Sequence, residues 1–130
     1  ASIKATADLA YTMRFVGVDG AYCGAGKAAF GVLNAMAATN EMAPCAIDGI
    51  VNVVTGAAVT AGDEVISDAA GKAITATVLS ATVPSGATPV TSTGATPAMT
   101  IAGAATTVKI IGVALDTVDA ADKIIRVKLY

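Results

Sequence analysis

Glu64-Val65-Ile66-Ser67-Asp68-Ala69-Ala70-Gly71-Lys72-Ala73-Ile74-Thr75 is the stretch on which the fold turns. Two short β-branched runs, Glu64 to Ser67 and Ala73 onward to Leu79, flank an Asp-Ala-Ala-Gly segment. Asp68 can bond to nearby backbone and Gly71 can adopt positive φ, so the segment predicts a β-hairpin. Upstream, Thr60-Ala61-Gly62-Asp63 reads as a tight turn feeding the first strand, and Ile50 to Thr55 as a further strand. No room is left between them for a helix.

The same signals continue at the C-terminal end. Thr107 to Leu115 and Lys123 to Leu129 are strand candidates; in the latter Ile125, Val127 and Leu129 alternate with Arg126, Lys128 and Tyr130, the period of a half-buried strand. The linker Asp116 to Asp122 is short, polar and alanine-rich. Earlier, Phe30-Gly31-Val32-Leu33 is also followed by an alanine-rich linker. Aligning Gly31-Val32 with Gly112-Val113 sets Glu41 opposite Asp122, an internal echo of one strand–linker–strand unit. Residues 27 to 39 could also make a three-turn helix. Gly31 at its centre would cost about 1 kcal/mol relative to Ala there, which favours strand plus linker.

Composition bounds what such a chain can do. With 130 residues it has the length of one domain, 1–130. It carries 30 alanines, 16 threonines and 13 glycines against three tyrosines and two phenylalanines, so its core must be thin layers of Val, Ile, Leu and Ala. Thin layers bury little apolar area per residue. The hydrophobic share is 55% and the charged share 14%, where a soluble monomer has about a quarter. Association with other protein surfaces is therefore expected to cover part of its exterior.

The exclusions are as informative. Net charge is −2 and the eight Lys and Arg are scattered, so no footprint for a nucleic-acid backbone exists and no direct nucleic-acid binding is expected. There is no histidine, which removes hydrolase triads and most zinc sites. Cys23 and Cys45 make no disulfide framework and are expected free and buried. No charged-then-apolar leader opens the sequence, and Ala1 fits removal of an initiator Met. Between Lys72 and Lys109 no residue is charged. Pro84, Pro89 and Pro97 and the Thr, Ser, Ala and Gly around them argue against a membrane span. The tract 82–106 is low in complexity and reads as an extended excursion, an insertion or contact arm.

Two motifs invite chemistry and fall short of it. Gly24-Ala25-Gly26-Lys27-Ala28-Ala29 has Ala21 where a phosphate-binding loop needs its first Gly and Ala28 where it needs Ser or Thr. It is also not followed by a βαβ pattern, so a glycine-rich turn with a solvated lysine is the simpler reading. Asp63, Glu64 and Asp68 lack EF-hand spacing and read as turn caps. No cofactor, no metal and no catalytic residue is expected, and the chain is read as a non-enzyme. For partner contact the expectation falls on residues 1–14 as an extended N-terminal arm. There Ile3, Leu9, Tyr11 and Met13 alternate with polar residues and could add a strand to a neighbour; an ordinary first strand of the same fold is the equal alternative.

Several stretches carry a resemblance. Gly56 to Val65 followed by Ser67 to Thr75, with the ending Ile111 to Leu115 through Ile125 to Leu129, resembles the capsid decoration, or cement, proteins of tailed bacteriophages; Phe30 to Val32 and Asp48 to Val51 fit the same pattern. The resemblance runs from about Phe30 to Tyr130. It implies an all-β, single-domain β-barrel or β-tulip fold. It also implies homotrimers bound to the major capsid protein on the outer surface of the virion, assembled in the host cytoplasm, and transfers no catalytic residues. Another surface-assembly module, such as a head-fibre or tail component or a bacterial surface-layer domain, is the alternative function.

Overall fold

A computed structural model describes residues 1–76 and 108–130, which fold as one compact unit. The excursion expected over 82–106 lies outside the described residues. Among these, every regular element is a strand: β1 (Ser2–Lys4), β2 (Phe15–Gly17), β3 (Ala29–Leu33), β4 (Met42–Ala46), β5 (Ile50–Val54), β6 (Glu64–Ser67), β7 (Ala73–Thr75), β8 (Gly112–Ala114) and β9 (Ile124–Leu129). The all-β expectation is met, and residues 27 to 39 are strand plus linker. Two antiparallel sheets form, in the orders β1-β4-β3-β2 and β5-β9-β8-β6-β7.

Among the described residues no closed barrel forms. The edge strands of the larger sheet meet at one parallel bridge, Thr55 to Ala73, with Gly56 N–H donating to Ala73 O at 2.8 Å. β7 is three residues long, too short to extend that bridge into a ladder. An extended arm over 1–14 is not seen, and its alternative, a first strand of the same fold, is. β1 pairs with β4 in the register Ser2 to Pro44, Ile3 to Ala43 and Lys4 to Met42, and Leu9 is bridged to Ala37. Ala5 and Leu9 are fully buried with Val16, Leu33 and Cys45, and that burial is what draws the segment onto its own domain.

The two sheets repeat one another. Phe15 faces Val32 as Glu64 faces Val113, and Ser2 faces Pro44 as Asn52 faces Arg126. Outside the ladders the match persists. Leu9 bridges Ala37 as Val59 bridges Val118. Cys23 N–H donates to Phe15 O as Ala76 N–H donates to Glu64 O, and Leu33 N–H to Arg14 O as Ala114 N–H to Asp63 O. Left-handed residues recur in place, Met13 (φ 58°) with Gly62 (φ 94°) and Asn40 (φ 73°) with Asp122 (φ 61°). The echo read around Gly31 and Gly112 is thus a repeat of the whole unit. The β8–β9 linker is one residue longer than the β3–β4 linker, so Asn40, not Glu41, stands opposite Asp122.

The halves stack asymmetrically. Phe15, Cys23 and Val32 project from the outer side of the first sheet into a core made with Val53, Val59, Val65, Ile125 and Val127 of the second. The second-half counterpart of Phe15 is Glu64, which is exposed. A carboxylate there resists burial, so this position does not build a core as Phe15 does. Cys23 and Cys45 are free and buried, and burial pushes both thiols above their ordinary value.

Candidate interaction surface

The motifs that suggested chemistry are consumed by the fold. Asp63 Oδ2 accepts from Thr60 N–H and from the Thr75 hydroxyl, both at 3.0 Å, and Asp68 Oδ1 accepts from Ala70 and Lys72 N–H, both at 2.9 Å. Both are turn caps. In the glycine-rich loop, Gly26 N–H donates to Ser67 O and Lys27 N–H to Gly24 O, and the chain continues into β3 rather than a helix. A phosphate would find two of the loop's amides taken and no helix N-terminus. Among the described residues no three His, Cys, Asp or Glu side chains converge.

Of the four residues expected at a partner contact, Leu9 is fully buried in the chain's own core and Ile3 is half-buried on β1. Met13 has its N–H bonded to Leu33 O and its carbonyl accepting from Val54 N–H. Tyr11 is 62% exposed. Around Tyr11 the structure gathers three residues that the sequence pattern left unmarked: Arg14, Tyr22 and Met36. The Tyr22 hydroxyl accepts from Tyr11 N–H at 2.7 Å and donates to Tyr11 O at 2.9 Å, fixing the loop. The Arg14 guanidinium lies 4.6 Å from the centre of the Tyr11 ring and 5.5 Å from that of Tyr22. Such stacking attracts a cation to both rings. Met36, 71% exposed, lines with Tyr11, Thr12, Arg14 and Val54 an open cavity of about 420 Å³. One signal was available beforehand. Two of three tyrosines and one of two arginines fall in residues 11–22 of an aromatic-poor chain.

A second apolar groove, about 270 Å³, runs between the halves and is lined by Phe30, Ile47, Ile111, Leu129 and Tyr130. Ile47 and Tyr130 are exposed beside it. Surface charges are paired elsewhere. The Arg126 guanidinium grips Asp116 through Nε and Nη2, and Lys72 bonds Asp122. These bonds hold the Asp116 and Asp122 carboxyls below 3.8, and Thr39 N–H and hydroxyl do the same for Asp8. A carboxyl lowered in the folded state binds fewer protons there than when unfolded, so its contribution is present above the ordinary carboxylate value and lost as pH falls through the lowered one. Stability is therefore expected to decline on acidification below 3.8. Asp116→Asn should flatten that decline, measured as denaturant midpoints across acidic pH; an unchanged slope would remove Asp116 from the account.

A two-sheet chain whose polar motifs are spent on turns, and whose Tyr, Met and Arg side chains gather at open cavities, has the surface of a packing module, since these are the residues enriched at protein interfaces. The class it defines is a structural assembly protein. Its family is shown by the sequence: the family model described as phage cement protein matches residues 2–129, and the chain belongs to that family. It is accordingly a virion structural protein of the capsid surface. The match begins at Ser2, so residues 2–29, which the resemblance read from about Phe30 onward left out, belong to it too. A search of curated proteins gives no match.

Proposed function

We propose that this chain binds the outer face of the phage shell through the major capsid protein, as a homotrimer, and stabilises the shell against disruption. The observation that carries the proposal is the cement-family match across nearly the whole chain. The physics is that of a clamp rather than a catalyst. Each contact is an apolar patch with a few polar anchors, and a trimer that touches neighbouring shell subunits turns the second and third contacts into intramolecular events of high effective concentration. Individually modest contacts then hold firmly. The low charge and the exposed Tyr11, Met36, Met42, Ile47 and Tyr130 favour such packing.

The test is the mass of the purified protein by light scattering, followed by mixing with expanded empty phage shells and separation of bound from free. The expected outcome is a mass of three chains of 12.6 kDa, binding at fixed stoichiometry, and shells that resist heat better when loaded. A lone monomer that ignores shells would overturn the proposal.

A further inference from the structure

The repeat supplies an internal control for the surface residues it pairs, because a matched position in one half has a counterpart held in the same backbone by the other. Arg14 corresponds to Asp63, Tyr22 to Thr75 and Met36 to Thr117. In the second half these side chains bond to one another or to the adjacent loop. Thr75 donates to Asp63, Asp63 accepts from Thr60 N–H, and Thr117 Oγ1 accepts from Ala61 N–H at 3.0 Å. In the first half Tyr22 alone performs that task through its two bonds to the Tyr11 backbone. The second half thus builds the same backbone with neither a guanidinium nor a thioether at these two positions.

Arg14 is, moreover, poorly satisfied. Its one hydrogen bond runs from Nη1 to Ala70 O at 3.4 Å, and its Nε–H is buried without an acceptor among the described residues. A buried Nε–H so placed carries a desolvation cost that the Ala70 bond and the two rings offset only in part. The nearest charge that senses it, Asp122, is committed to Lys72 at 2.6 Å. The cavity beside it is lined by Tyr11, Thr12, Met13, Met36 and Val54 and contains no carboxylate. The guanidinium lies within stacking distance of two rings and keeps Nη2 free of a partner among the described residues, and a carboxylate is the acceptor that Arg binds best.

We propose that the Tyr11–Arg14–Met36 cavity is the anchor by which this chain grips the shell, and that its occupant is a carboxylate-bearing segment of the shell subunit whose Asp or Glu meets Arg14 while its apolar neighbours cover Met36. This rests on the cement reading above. A desolvated Arg flanked by Tyr and Met is the composition of an interface hot spot, where a few residues carry most of the affinity.

The experiment uses the full chain and empty expanded shells. Arg14→Gln should weaken shell binding by at least about tenfold while the free protein keeps its light-scattering mass and its thermal midpoint. Because Arg14 packs between rings, the exposed Met36 provides variants that do not depend on that packing. Met36→Glu sets like charge against the occupant and should weaken binding, whereas Met36→Lys should keep or tighten it, and raising salt should weaken the wild type. Equal binding by wild type and Arg14→Gln overturns the assignment. So does an equal loss for Met36→Glu and Met36→Lys, which would make the occupant apolar. A fall of the variants to a smaller mass would show that a second copy fills the cavity and would overturn it as well. Failure of the wild type to bind shells would instead remove the cement reading, and this assignment with it.

Discussion

Phe15→Ala is expected to destabilise the protein by about 3–5 kcal/mol, the range for truncating a buried aromatic. The reason lies in where the ring sits. Phe15 is fully buried and is one of two phenylalanines in the chain. It projects from β2 of the first half into a core whose other members are mainly valines and an isoleucine of the second. Those neighbours are β-branched and held in strands, with little rotamer freedom to fill a vacated ring volume. The cavity persists and the two halves lose their largest shared side chain. Against a total stability of about 5–15 kcal/mol this is a large share, and the thermal midpoint should fall by about 10–20 °C. Phe30→Ala, whose ring is only half-buried beside the groove, should cost clearly less. Denaturant midpoints for the two variants check the order. A loss at Phe15 no greater than at Phe30 would mean that the halves are not held together by this core.

Much of the second half was legible in the sequence because its strands carry local signals. The hairpin from Glu64 to Thr75 announces its turn with Asp68 and Gly71, and β9 alternates Ile125, Val127 and Leu129 with charged residues. The first half was harder. β1 and β2 are three residues each, too short for any period to register, and their places are set by long-range partners. The alternation of Ile3, Leu9, Tyr11 and Met13 suggested one strand face. In the folded chain a loop intervenes, Leu9 turns inward and Tyr11 outward, so that residues of one pattern end in opposite environments. The duplication left few identities in the sequence, the Gly-Val pair among them, since paired backbone positions accept many side chains. Arg14 gave no signal for a similar reason. A single arginine between Met13 and Phe15 belongs to no binding motif, and only the fold brings Tyr22 and Met36 to it.

The glycines preserved in both halves are where the fold is least forgiving, and replacing either should give matched, large losses. A Cβ at Gly112 would lie 2.3 Å from Lys128 O and 2.8 Å from Val127 Cγ1; at Gly31 it would lie 2.5 Å from Ala46 O. In each case the obstacle is the carbonyl of the strand paired alongside, β9 or β4, which cannot retreat without opening the ladder Val113–Lys128 or Val32–Ala46. Overpacking costs of about 1–3 kcal/mol assume that neighbours yield, so Gly112→Ala and Gly31→Ala should both reach or exceed the upper end of that range. Gly49→Ala separates this from conformational strain. Gly49 has φ 85° with nothing within 4 Å of its would-be Cβ, so alanine there should cost only the left-handed penalty, about 1–2 kcal/mol. Denaturant midpoints should therefore fall in the order wild type, Gly49→Ala, then the other two together. If Gly112→Ala is tolerated while Gly31→Ala is not, the β8–β9 ladder can part where β3–β4 cannot, and the two halves, alike in register, differ in rigidity.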